Sequence, residues 1–375
     1  MDSQLHRSGL NLPAGCEPRC RGCAHRHLDA AASAAQKQDW LARALAPWAE
    51  RLAELHAPRE HERWHYRDKV CLATAWDGAR WQFGLRVRDE VLPIPACPVH
   101  SERVNAAVAL LAPVLPPADV FPLHYHVQSG AQLTLVLKSR TAPTLDWLTP
   151  TLCTALREIG IEGLWLHWHG GVGRRVFAKN TWRLVFGEPR SRDADSLIYG
   201  PAAFQQLIPR LHRLALDEAE AWLAPGADDA VADLYCGIGS TLRRWQARGA
   251  RCVGVELGGE ALACAAHNAP GATLWRGTCE TRLPQLRAWG AAQQGGETFV
   301  YANPPRTGME SPVLQWIATE LRPRRLAYLS CSAGTLRRDL ALLESAGYKV
   351  VRLSPYDFFP QTYHVETLAL LALRD

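Results

Sequence analysis

From about residue 205 to the C-terminus, short apolar runs alternate with longer stretches of helical period. The runs fall at 230–234, 252–256, 273–275, 298–302, 326–330, 348–353 and 365–372. Strands buried on both faces read as unbroken apolar runs, and parallel strands need a long crossover between them. The alternation therefore predicts an α/β domain over 205–375 with a doubly wound, mostly parallel sheet. In such a sheet ligands bind beyond the carboxyl ends of the strands. Every motif considered below falls at one of those ends.

The residues before this domain follow other patterns. Residues 1–27 are polar, rich in Gly and Cys, and without period. Residues 28–58 read as one amphipathic helix with a break near Pro47, placed to pack on the C-terminal domain. Over 59–204 the segments are short, β-branched or aromatic, and separated by Gly and Asp, as in RDKVCLATAW, WQFGLRV, HYHVQSG, QLTLVLKS and GLWLHWH. They predict an antiparallel sheet built from hairpins, with a helix around 145–158. The first residues carry no leader-like apolar run, and no stretch approaches the ~18 apolar residues of a membrane span. A cytoplasmic protein with no membrane partner is expected. Eleven cysteines in a reducing compartment do not form a disulfide framework, so they divide among core, metal ligands and a nucleophile. The net charge of +5 permits a nucleic-acid partner without demanding one.

ADLYCGIGS, 232–240, closes the first strand of the alternation. Gly237 and Gly239 let backbone approach a ligand at the next helix N-terminus. The following strand ends in Glu256, where an acid reaches ribose hydroxyls. A tight turn with a solvated Glu would look the same, but the whole order of turn, helix, strand and acid favours a nucleoside cofactor. The fourth strand runs into Asn303, then Pro304, Pro305 and Arg306. Cys331 ends the next strand, in YLSCSAGT. A helix begins just after it, and Arg337 and Arg338 stand nearby, an arrangement expected to lower the thiol pKa. Glu366 is the lone carboxylate in the last apolar run. On its own it reads equally as a surface acid or a general base.

Near the N-terminus, CEPRCRGC gathers Cys16, Cys20 and Cys23 within eight residues, with Cys97 remote in IPACPVH. Spacing alone suits an iron–sulfur cluster and a Cys₄ zinc site equally. Cys71, Cys153, Cys252, Cys264 and Cys279 lie in apolar segments and are expected to be buried and inert.

Asn-Pro-Pro in this position resembles the substrate-side motif of class I S-adenosyl-L-methionine methyltransferases. Arg306 replaces the aromatic residue of amino-group methylators. DLYCGIG, GVE, NPPRTG, LSCSAGT and FPQTYHVETLALL, in this order, resemble the uracil-5 RNA methyltransferase family. The resemblance covers 200–375 closely and reaches more loosely to WHYRDKV and the cysteine segment. It implies a Rossmann-like class I methyltransferase domain and an RNA-binding β-rich middle region. It also implies Cys331 as the nucleophile at carbon 6 of uracil and Glu366 as the base that removes the carbon 5 proton. Gln205, Tyr235, Glu256 and Asn303 are implied as S-adenosyl-L-methionine contacts. FQQLI departs from the family's usual FFQTN, and Ser332 from the usual Asn or Asp. Several members hold a 4Fe–4S cluster, which would make Cys16, Cys20, Cys23 and Cys97 its ligands, with a shorter first gap here.

Only fifteen residues precede Cys16, so the small RNA-binding barrel of some members is expected to be absent. Cluster cysteines without the barrel resemble the branch that methylates 23S ribosomal RNA. The partner implied is that RNA, bound by a monomer. The rival expectations are the same chemistry on transfer RNA, cytosine-5 methylation, and a catalytically silent RNA-binding iron–sulfur protein.

Overall fold

The computed structural model describes residues 12–171, 173, 175–179 and 181–374; the start of the chain, read above for a leader, lies outside them up to residue 11. The chain folds as two units. Described residues up to Ala30 join Glu60–Ser191 in the first, and Ala31–Arg59 join Arg192 onward in the second.

The first unit is built on a seven-stranded sheet. Its strands in spatial order are Glu90–Pro93, Trp81–Val87, Lys69–Trp76, Leu123–Ser129, Gln132–Leu137, Gly163–Trp168 and Trp182–Gly187. All neighbours are antiparallel except Gln132–Leu137 with Gly163–Trp168, which run parallel. That pair corrects the expectation of hairpins throughout. The helix Pro150–Glu158 lies between the two strands in sequence, and a parallel pair requires such a crossover. A second helix, Glu102–Leu111, had no sequence expectation; Ser101 caps it by accepting from the Val104 amide. Leu133, Leu135, Leu164 and Phe186 share one core with Val104, Leu111 and Leu156 from the two helices. Cys71 is exposed and Cys153 half-buried, against expectation, while Cys252, Cys264 and Cys279 are buried.

The second unit carries the alternation read from the sequence. Its strands are β1 (Ala230–Leu234), β2 (Arg251–Glu256), β3 (Thr273–Arg276), β4 (Thr298–Ala302), β5 (Arg325–Ser330), β6 (Tyr348–Tyr356) and β7 (Glu366–Leu373). Their spatial order is β3-β2-β1-β4-β5-β7-β6. The first five are parallel, and β7 runs antiparallel between β5 and β6. The order in which strands are added reverses between β1 and β4, and the carboxyl ends of those parallel strands lie side by side there.

Ala31–Arg59 completes this unit. Helix Ala30–Ala44 and the turn after it, which carries Pro47, bury Leu41, Leu45 and Trp48 in the core that holds β1, β4 and β5. The following residues run beside β6, with the Ala53 amide donating to Leu353 O at 2.8 Å and the His56 amide to Pro355 O at 2.9 Å. The edge of the sheet is thereby covered. Lys37 is 1% exposed, and its Nζ donates to Asp357 Oδ1 at 2.6 Å and to Phe359 O at 3.3 Å. Removing one member of such a pair leaves a buried charge unmatched. Lys37→Met is expected to cost about 3–5 kcal/mol in urea unfolding. Lys37→Met with Asp357→Asn should recover much of that, because the Asn Oδ1 can still accept from the Phe359 amide. Equal loss in the single and double variants would show that packing, not charge, matters here.

Candidate active site

The turn after β1 is set by backbone conformation. Tyr235 has φ 63°, Gly237 55° and Gly239 82°. At Gly239 a Cβ would lie 3.1 Å from the Cα and Cβ of Ala265, so the glycine also permits close packing of the helix Gly259–Asn268. A non-glycine residue in the left-handed region is uncommon and gathers at functional turns. Glu256 ends β2 and folds back on this turn. Its carboxylate accepts from the Gly237 amide at 3.1 Å and the Gly258 amide at 2.6 Å. Two backbone amides thus hold the acid against the turn. The Tyr235 hydroxyl donates to the Glu310 carboxylate. Burial first, then the nearby Cys279 and Glu310, push its pKa well above the usual phenol range. Asn303 follows β4, and its amide donates to Leu234 O at 3.2 Å, which places it beside the end of β1.

Cys331 leaves the end of β5 and precedes the helix Ala333–Ser345, which Ser332 caps by accepting from the Thr335 amide. Its environment differs from the expectation. Burial, then the Glu366 carboxylate, raise the thiol pKa, while the positive charge of the nearby Arg306 opposes them. The helix arginines do not supply the cation. Arg338 is held by Asp339 and by the Thr307 and Met309 carbonyls, and Arg337 is exposed. Asp339, fully buried, also accepts from the Tyr328 hydroxyl at 2.8 Å and the Met309 amide at 3.2 Å. It fastens the loop after Asn303 to this helix, and the Thr335 hydroxyl donates to Arg306 O at 3.3 Å. The loop is thereby fixed so that Arg306 reaches Cys331.

Glu366 opens β7 and is 3% exposed. The next residue, Thr367, pairs with Ser330 at the end of β5, which brings the carboxylate to the Cys331 side of the sheet. Burial raises its pKa to about 7, opposed by a hydrogen bond from Gln206 and by the charge of Arg306. The Gln206 Nε2 donates to Glu366 Oε2 at 2.9 Å. Two glutamines follow Phe204; Gln206 is buried and Gln205 only half so. The structure therefore gathers Cys331, Glu366, Arg306 and Gln206 in one place, with the Tyr235, Glu256 and Asn303 strand ends forming the adjacent rim. Sequence reasoning passed over Gln206 and gave Arg306 no role. The one available signal was the arginine standing where an aromatic residue is usual.

In the first unit, Cys16, Cys20, Cys23 and Cys97 line one pocket with Arg26 and Trp64. Gly15 has φ 79°, and a Cβ there would sit 2.1 Å from Ala96 O, so only glycine lets the two cysteine segments come this close. Burial, then Cys97, Cys20 and Cys16, push the Cys23 thiol up to about 12. Burial raises the Cys97 thiol pKa, and the nearby Val99 and His100 amides oppose it. Among the described residues, no three His, Cys, Asp or Glu side chains are gathered as ligands of a metal ion. No described helix is long and apolar enough to cross a membrane.

Residues 295–374 match the model of a family described as tRNA (Uracil-5-)-methyltransferase. A protein of Pseudomonas fluorescens named 23S rRNA (uracil(1939)-C(5))-methyltransferase RlmD is 32% identical, over 98% of this chain and 82% of its own length. A protein of the same name from Shewanella sp. is 28% identical, over 99% of this chain and 85% of its own. Among solved structures, a Pyrococcus abyssi tRNA (uracil-54, C5)-methyltransferase in complex with S-adenosyl-L-homocysteine superposes with a TM-score of 0.70. It covers 95% of this chain and 87% of its own at 19% identity, a likeness of fold.

Proposed function

Because the chain belongs to the family of RNA uracil-5 methyltransferases, we propose that it methylates carbon 5 of a uridine in 23S ribosomal RNA, the position its relatives' names give as 1939, with S-adenosyl-L-methionine as donor. The observation that carries the residue roles is the Cys331–Arg306–Glu366–Gln206 group at the ends of β5 and β7, in which Glu366 and Gln206 are buried and Cys331 half-buried.

Carbon 5 of uracil is a weak nucleophile. The Cys331 sulfur adds to carbon 6 as thiolate, and the electron pair moves onto the ring as an enolate. Arg306, close enough for its charge to act on the thiol, favours the thiolate and offers positive charge beside the developing anion. The cofactor supplies an electrophilic methyl group, which carbon 5 takes up. Glu366 then removes the carbon 5 proton, the sulfur–carbon 6 bond breaks, and the thiolate leaves. Gln206 holds the carboxylate for that transfer. Tyr235, Glu256, Asn303 and Gln205 would hold the donor. Transfer of a tritiated methyl group to unmodified 23S rRNA, and not to tRNA, is the expected result. Label in tRNA alone would favour the second reading, which rests on the name of the matched family model.

We propose that the four cysteines of the first unit hold a 4Fe–4S cluster, a reading supported by their lining one pocket. Four thiols there need a cationic centre to share it as thiolates. When bound, the cluster would tie the Cys16–Cys23 segment to the turn at Cys97. Anaerobically purified protein should be brown with about four irons per chain, and Cys97→Ser should lose both colour and iron. A colourless protein with one zinc would overturn the cluster and keep the ligands.

A further inference from the structure

The loop between β6 and β7, from Asp357 to Val365, is fixed from within. The Phe359 amide donates to Asp357 Oδ1 at 3.2 Å, and the Thr362 hydroxyl to Phe359 O at 2.8 Å. The His364 amide donates to Thr362 Oγ1 at 3.1 Å. Lys37 holds Asp357 and Phe359 O from the helix side. Asp357, Gln361 and Thr362 are buried in consequence. Tyr363 points the other way and is 59% exposed. Its ring lies 4.4 Å from that of His364, which in turn meets Phe359 at 6.0 Å. A three-ring array thus ends in an open aromatic face, three residues from Glu366, on a loop that cannot swing it inward.

We infer that Tyr363 is a specificity-determining residue that stacks on the nucleobase next to the reacting uridine. This rests on the RNA-methylation reading above. A uridine must leave its stack before Cys331 can reach carbon 6. Its departure strips one face from the neighbouring base. An exposed ring three residues from Glu366 replaces the lost stacking at little entropic cost. Nothing in the fold of the second unit needs this ring: its outer face packs against no core, and an alanine there would leave the loop bonds intact.

The test uses the full chain and an unmodified 23S rRNA transcript. Tyr363→Ala should raise the KM for RNA by about 5- to 100-fold, the range of base–aromatic stacking. Its kcat at saturating RNA and its affinity for S-adenosyl-L-homocysteine should stay near those of the parent. Tyr363→Phe and Tyr363→Trp should restore the low KM. An unchanged KM in Tyr363→Ala would overturn the inference and leave the methylation reading standing. So would a Phe variant as weak as the Ala variant, since the hydroxyl would then be the contact. A parent enzyme that transfers no methyl group to any RNA would remove both.

Discussion

Cys331→Ala is expected to abolish methyl transfer, by about 10⁴-fold or more, while S-adenosyl-L-homocysteine still binds. The thiol sits where β5 gives way to a capped helix, with the positive charge of Arg306 nearby. The residues around the candidate cofactor turn, Tyr235 and Glu256, are held by Glu310, Gly237 and Gly258, none of which depends on the sulfur. Loss of turnover with cofactor affinity retained therefore separates the nucleophile from the binding site. A variant that keeps near-normal turnover would end the covalent mechanism.

Glu366→Gln is expected to stall the reaction after the methyl group has moved. Addition and transfer need no base at carbon 5, whereas elimination does, and a positioned base contributes about 10²–10⁴-fold. Protein bound covalently to methylated RNA should accumulate and run as a retarded band on a denaturing gel. The glutamine can still meet Gln206 through its own amide, so the site should keep its shape. Rapid product release by this variant would move the base elsewhere, first to His364. The pH dependence has a definite sign. Glu366 must be ionised to take a proton, and burial places its pKa at about 7. Cys331 must also lose its proton, and burial raises that pKa too. The rate should therefore rise with pH through the neutral range and fall on acidification.

The C-terminal sheet was legible because burial on both faces writes itself as apolar runs, from β1 through β7. The parallel pair in the first unit was not, since a strand signal does not say which way its partner runs. At the site, the strand-end positions of Cys331, Glu256 and Asn303 could be read from local pattern. The burial of Glu366 could not, because one carboxylate at the mouth of a strand looks alike in water and in a pocket. Arg306, Arg338 and Asp339 show the same difficulty. Their charges resemble ordinary surface charges until the loop and helix that pair them are brought together. Lys37 and Asp357 lie 320 residues apart, and no local window could join them.

That last separation bears on how the protein is made. The unit that holds the candidate active site is discontinuous: its first piece, Ala31–Arg59, leaves the ribosome before the larger part of the first unit, Glu60–Ser191, and its last strand leaves at the end. Until Asp357 emerges, Lys37 has no carboxylate to meet, and Leu41, Leu45 and Trp48 have no completed sheet to cover. The early helix must wait in an apolar, chaperone-attracting state through most of synthesis, so its apolar face is a point at which translation speed governs yield. A fragment begun at residue 205 would inherit the opposite defect, a buried Asp357 with its cation missing, and should be recovered mainly as aggregate. Supplying residues 31–59 as a separate peptide should return part of it to solution.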